Sequence, residues 1–483
     1  MQPVTDVQPP PPTPVAAPPE MVAPEAPTTE PSAPQPADML PPSGPAAPVK
    51  PPVSAPPTET PRQPAAEPAP PAAPPPTVPE RMPEPDRIRR EEPVKKPAPA
   101  APSPKRFEPK KPGDVAWIYP AVGGRAARAA IRNCPAVGEK GRIYAALGTT
   151  LYGIVEEKGM AKVLWEYATD GHIPGSPSLG PDSNLRIHSS DGTLHCVNLD
   201  GDEVFTSDVG EPLGFASPLA DDDANTWVCA YHGGLLKVDS KGEHRRQAFF
   251  RSRQKFDSTG LLYKGIYYVG SEDGFIYAIS TNGMRGRITW DHLAGHGKTD
   301  WFINSALCLT PDPIIVVAGR DEHLYGFQLN GKKAWKVHLH GQLLGSPIVS
   351  ADGDVYVGVS TAKAGRAKAG KLVCIGSSPH KIKWEYKAQG LVESTPVLGN
   401  DGIVYFGDNA GSIHAVDRDG NRQWLRNVGT AIRSAGTIPS PHRVVFGTDK
   451  GIMVAVQCSS EGLAEGGWPK IMGNLGQSGI PPL

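Results

Sequence analysis

The sequence predicts an all-β chain: an eight-bladed β-propeller preceded by a long disordered Pro/Ala-rich region. Three observations carry this. The opening segment is crowded with proline, a pair of short apolar strands recurs eight times after Trp117, and a small-residue marker keeps step with that recurrence.

Of the 56 prolines, 39 fall before Gly113. Alanine and scattered glutamate fill most of the rest, so residues 1–112 cannot bury enough apolar surface to offset chain entropy. They are read as a disordered tether, and residues 113–483 as the propeller. Glutamates dominate the early tether (Glu20, Glu25, Glu30, Glu59), whereas basic runs such as Arg87–Arg90 gather late. At ~3.1 Å per residue such a chain reaches at most roughly 350 Å. It resembles the Pro-Glu/Pro-Lys spacers of TonB-type envelope proteins. No run of about 18 apolar residues occurs, and no charged segment followed by an apolar one opens the chain. Because so long a tether implies something at its far end, MQPVTDVQ is read as a trimmed start, with a signal, lipid anchor or membrane helix expected upstream.

The eight recurring strands are GRIYAALG, NLRIHSSDG, NTWVCAYHGG, GIYYVGSEDG, PIIVVAGRDE, GDVYVGVS, GIVYFGDNAG and HRVVFGTDKG. Each is followed by a second short strand such as LHCVNL or SIHAV. The marker is Ser176, Ser217, Ser258, Ser305, Ser346, Ser394 and Ser434, at spacings of 41, 41, 47, 41, 48 and 40 residues, with Cys134 in its place in the first copy. Each unit thus holds a strand after the marker, the two recurring strands and a fourth. Four short strands per unit with polar turns is the pattern of propeller blades. No single blade buries both faces, so blades pack radially and the last must close on the first. Trp117 and Trp468 lie outside the eight copies, and Trp117 is favoured as the outer strand of the closing blade.

The fourth strand bears Trp165, Trp290, Trp335, Trp384 and Trp424, with Phe205 in one copy. A buried indole covers ~150–250 Å², about 4–6 kcal/mol gross, so these residues are read as packing between repeats. The segment AVDRDGNRQW, Ala415 to Trp424, resembles the Ala-x-Asp…Gly…Trp signature of the PQQ-like (quinoprotein-type) propeller repeat; GDEVF at Gly201 and GKKAW at Gly331 share its spacing. The resemblance covers essentially all of the chain after the tether. Its shortened Asp-Gly turn is similar to that of the non-enzymatic, BamB-like branch.

That resemblance implies a non-catalytic protein-binding scaffold of the cell envelope, in the periplasm, with a part in outer-membrane protein assembly or secretion and a protein partner. The alternatives are a ligand-binding sensor propeller and a PQQ-dependent dehydrogenase. The family's dehydrogenases typically carry adjacent cysteines and insertions that wall the quinone; here Cys134, Cys196, Cys229, Cys308, Cys374 and Cys458 are scattered, and eight blades use up the ordered chain. No cofactor, metal or catalytic residue is assigned. GxSxG, HExxH and P-loop motifs are absent. His292 and His296 fall in a Gly-rich loop, and GSEDG and FGDNAG place Asp, Asn and Gly where tight hairpins require them.

Binding is expected where copies differ. Residues just before the marker should ring the mouth of the central channel, where Asp257, Asn304, Glu393 and Arg433 supply polar groups. On the same face the loop Ser360–Lys371 carries Lys363, Arg366, Lys368 and Lys371, a candidate docking element for an acidic partner or an anionic surface. No broad basic, aromatic-interleaved stripe speaks for nucleic acid.

Overall fold

The computed structural model describes residues 109, 111–120, 130–244, 249–283, 287–293, 303–361, 369–474 and 476–479, of which 287–293 and 369 are described by backbone alone. The predicted tether therefore lies almost entirely outside the described residues, as do Lys363, Arg366 and Lys368 and the side chain of Trp290.

Eight antiparallel four-stranded sheets form, each built from consecutive segments except the last. Their inner strands are Ala136–Val137, Ser178–Leu179, Leu219–Ala220, Leu261–Tyr263, Cys308–Leu309, Ile348–Val349, Val397–Leu398 and Thr437–Ser440, which begin blades 1 to 8. In blade 8 the outer strand is Val115–Tyr119, paired antiparallel with Met453–Gln457, so the chain's two ends meet in one sheet. This is the closure favoured for Trp117, which is buried at 2 % exposure. Its indole Nε1 donates to Glu156 Oε2 of blade 1 at 2.9 Å. The same carboxylate accepts two hydrogen bonds from Arg443 of blade 8, at 2.8 and 2.9 Å. One glutamate thus clasps the seam from both chain ends.

The small-residue marker has a physical explanation. Around the channel, the backbone N–H of one blade donates to a hydroxyl of the next: Cys134 to Ser176, Ser176 to Ser217, Ser217 to Thr259, Ala306 to Ser346 and Ser346 to Thr395, all at 2.8 to 3.0 Å. Ser258 Oγ donates to Ser305 O at 2.7 Å and Gly436 N to Thr395 O at 3.3 Å, continuing the ring through blades 4–5 and 7–8. The last link is the Cys134 thiol donating to Gly436 O at 3.6 Å. A small hydroxyl fits where eight inner strands converge, and it satisfies a neighbour's buried amide.

The signature glycine is explained by the tryptophan of the preceding blade. A Cβ on Gly201 would sit 2.7 Å from the Trp165 ring, and one on Gly420 2.9 Å from the Trp384 ring. Phe205 lies equally close to Gly242, and Trp424 covers Gly113 at the start of the closing strand. These glycines also hold positive φ, +93° at Gly201 and +86° at Gly420, so the turn needs glycine on both counts. Trp165, Trp335, Trp384 and Trp424 are half-buried, whereas Trp117, Trp227 and Trp468 are fully enclosed.

After blade 8 the chain does not leave the molecule. Residues 462–479 run along the inner strands of several blades and reach the marker ring at Cys134. Trp468 pairs with Val349 of blade 6 through both backbone bonds, Ala464 and Pro469 bond Leu398 of blade 7, Gly476 accepts from Leu179 of blade 2, and Gly479 accepts from Leu262 of blade 4. Gln477 Nε2 donates to Cys134 O at 2.7 Å and Lys470 Nζ to Thr437 Oγ1 at 3.2 Å, adding blades 1 and 8. Trp468 and Met472 are each 1 % exposed and join two separate core clusters. Lys470 is fully buried, and burial pushes its amine below its ordinary range. The tail is a channel floor.

All six cysteines are free and buried. The Asp residues of the AVDRDGNRQW blade act as turn acceptors: Asp417 Oδ1 takes the amides of Asp419 and Asn421, and Asp408 takes those of Gln389, Gly390 and Ser412.

Candidate functional site: the channel mouth

The antiparallel order of each blade places the loops entering the inner strands and the turns between second and third strands on one face. The four mouth residues fall into separate groups. Glu393 and Arg433, from adjacent blades 7 and 8, meet directly: Arg433 Nε lies 2.9 Å from Glu393 Oε2. Arg433 also pairs with Asp449, and Asn409 Nδ2 donates to Glu393 Oε1 at 2.6 Å. This makes a closed network in which each charge has a partner.

Across the channel, Asp257 of blade 4 joins Lys255 rather than the other mouth residues. Lys255 Nζ lies 2.9 Å from Asp257 Oδ2 and 3.1 Å from Glu272 Oε1. Burial, with Asp257 nearby, pushes the Glu272 carboxyl up, and its two carboxylate neighbours hold the Lys255 ammonium charged. The second oxygen of Asp257 is buried without a hydrogen-bond partner. It faces Gly214, where a Cβ would come within 3.1 Å. Lys255 also sits 4.7 Å from the Tyr231 ring centre. Tyr231 and Phe215 are exposed at 42 % and 63 %, so two aromatic rings of blade 3 face solvent beside this triad. Asn304 is exposed.

The sequence reading missed Glu272, Asn409 and Asp449. A signal existed: each lies 15 or 16 residues after the mouth residue it serves, Asp257, Glu393 and Arg433 respectively, in the turn between the second and third strands. The four-residue basic group is corrected at one position. Lys371 is not in a loop, because the strands flanking that turn run to Thr361 and from Ala369. Lys371 pairs with Val359 in the sheet, and its ammonium is held by Glu385 at 2.6 Å.

His188 lies beneath the mouth, fully buried, with Nε2 2.8 Å from Gly214 O. Burial pushes its imidazole down to about 4. The folded protein therefore binds this proton less readily than the unfolded chain. Its contribution is complete above pH ~6.5 and is lost as pH falls through about 4, at most about 3 kcal/mol. His188→Gln keeps a donor for Gly214 and does not titrate. Urea unfolding at pH 7 and pH 4.5 should show a shallower acid loss in the variant; equal slopes would exclude His188 as the cause.

Among the described residues, no group of three or more His, Cys, Asp or Glu side chains is placed to hold a metal ion. What the mouth offers is recognition: two charge clusters, each with one cation between two carboxylates, and two exposed aromatic rings around a channel floored by the tail.

Eight four-stranded blades, most of them linked by buried hydroxyls and several by an aromatic ring seated on a turn glycine, define an eight-bladed β-propeller. Residues 320–462 match the family described as outer membrane protein assembly factor BamB. Among solved structures it is similar to BamB from Moraxella catarrhalis, at 17 % identity over 69 % of this chain and 98 % of that one, TM-score 0.56. It is also similar to Saccharomyces cerevisiae Sqt1, at 9 % identity over 72 % and 99 %, TM-score 0.57. A third is the quinohemoprotein alcohol dehydrogenase from Comamonas testosteroni, at 11 % identity over 72 % and 77 %, TM-score 0.55. At these identities the likeness is one of fold. No curated protein matches the sequence.

Proposed function

We propose that this propeller is a non-catalytic scaffold of the cell envelope, acting in the periplasm, that binds a protein partner at its channel mouth. The observation that carries the reading is the pairing of Phe215 and Tyr231, exposed, with two charge clusters that each hold one cation between two carboxylates. Aromatic anchors beside a polar rim are the composition of protein-binding surfaces. The tail supports the same reading, since Trp468, Lys470, Met472 and Gln477 are buried against the inner strands and take up channel space that an enclosed cofactor would need. The family match over residues 320–462 is to an outer-membrane protein assembly factor, which favours a client in the envelope.

A photo-crosslinking residue at Phe215 should capture one envelope protein in the native host, and the same residue at Lys381, at a turn on the opposite face, should not. Arg433→Ala should weaken that capture by freeing Glu393 and Asp449 to repel each other. Equal capture from both positions would contradict a mouth-directed scaffold. Quinone-dependent dye reduction by the purified chain after addition of PQQ and calcium would contradict the non-catalytic assignment.

A further inference from the structure

On the face away from the mouth, the seam between blades 8 and 1 holds a cleft of about 240 Å³. Its walls come from three turns: Lys140–Gly141 after the inner strand of blade 1, Lys158–Gly159 between its third and fourth strands, and Ser440–Pro441 of blade 8, with Val155, Glu156 and Arg443 behind. The same tripeptide, Glu-Lys-Gly, occurs at 139–141 and 157–159 and supplies both lysines. Each lysine has positive φ, +57° at Lys140 and +54° at Lys158, and each is followed by a glycine at +70° or +74°.

The lining carries three cations, Lys140, Lys158 and Arg443, and one acid, Glu156. Glu156 is fully engaged: both its oxygens accept from Arg443, and one also accepts from Trp117. Of the acids nearby, Glu157 pairs with Lys162 at 2.6 Å and also feels the Lys158 charge, Asp200 pairs with Arg142 at 3.4 Å, and Glu139 adjoins Lys140 on the exposed turn. Neither Lys140 nor Lys158 forms an ion pair among the described residues. The cleft therefore presents two ammonium groups, and the one carboxylate of its walls, Glu156, is committed to Arg443 and Trp117.

We infer that this cleft is a binding site for a phosphoryl dianion. A carboxylate is best matched by the planar fork of a guanidinium, but Arg443 already spends its fork on Glu156. Two ammonium point charges match a phosphate monoester, which carries about −1.5 to −2 at pH 7. The group can come from a free phosphate ester or from a lipid headgroup. The site lies beside the closing strand, on the face away from the mouth proposed above for a protein partner, and it does not depend on that assignment.

The test uses the full chain at low ionic strength, titrated by calorimetry with inorganic phosphate, and separately by co-sedimentation with phosphatidylcholine vesicles with and without phosphatidic acid. Wild type should bind one phosphate saturably, or bind only the phosphatidic acid vesicles if the headgroup is the source. In either arm Lys140→Ala/Lys158→Ala should weaken binding by about tenfold or more, and added salt should do the same. Lys241→Ala/Lys381→Ala, which removes the same charge from turns on that face outside the cleft, should leave binding unchanged. Binding in neither arm, or equal binding by the two double variants, overturns the site.

Discussion

Trp117→Ala is expected to lower the unfolding free energy by about 3–5 kcal/mol, the usual cost of emptying a buried indole site. Trp117 is 2 % exposed, packs with Ile143, Ile154 and Met453, and donates to Glu156 across the seam. The substitution leaves the strand pairing of Val115–Tyr119 intact while opening a cavity where blade 8 meets blade 1. The half-buried Trp384 makes a useful contrast, because it covers a turn glycine from outside and should cost less on truncation. Urea unfolding of both variants checks this. A loss below about 1 kcal/mol for Trp117→Ala would mean that closure does not depend on this contact.

The second large effect is expected from the tail. Trp468→Ala should cost about 3–5 kcal/mol, and deletion of residues 461–483 should cost more, because Met472 and the backbone bonds to blades 2, 4, 6 and 7 go with it. Domains of ordinary stability hold about 5–15 kcal/mol in total, so the deleted chain should melt far lower and bind a hydrophobic dye. Lys470→Met should behave differently. Its ammonium is buried against Thr437 Oγ1 and Pro135 O without a carboxylate, and removing it abolishes a desolvation cost. Thermal melts of the three variants separate packing from polar bonding. A deletion that melts with the full chain would show that the floor contributes nothing to the ring.

Much of the architecture was legible because it is repeated. The strand pairs, the marker at intervals of 40 to 48 residues and the Gly-to-aromatic spacing recur for physical reasons that most blades share: buried hydroxyls linking neighbouring inner strands, and, in several blades, an aromatic ring seated on the next turn. Features that occur once left no such trace. Residues 462–479 have no period, and Trp468 looked like a spare closing strand until its pairing with Val349 showed a channel position. The mouth residues Glu393 and Arg433 were named from their place before the marker, but Asn409 was read only as a turn former and Asp449 was not singled out. Turn chemistry and ion pairing use the same residue types, so composition alone did not separate them. Lys371 was grouped with a loop because glycine and alanine on both sides conceal where the strands end.

The closing strand also decides how the ring responds to load. Because Val115–Tyr119 is the chain's first strand in the ring, tension applied through residue 113 reaches Val115 before any other part of the sheet. Its hold is the pairing with Met453–Val456, the Trp117 indole on Glu156, and the clasp of Arg426 on Asp114 at 2.9 Å. A pull from that end would therefore detach one outer strand and expose the blade 8 edge while blades 2 to 6 kept their own four strands. The mechanical weak point of this ring coincides with the seam that hydrogen bonds, not covalent bonds, hold closed.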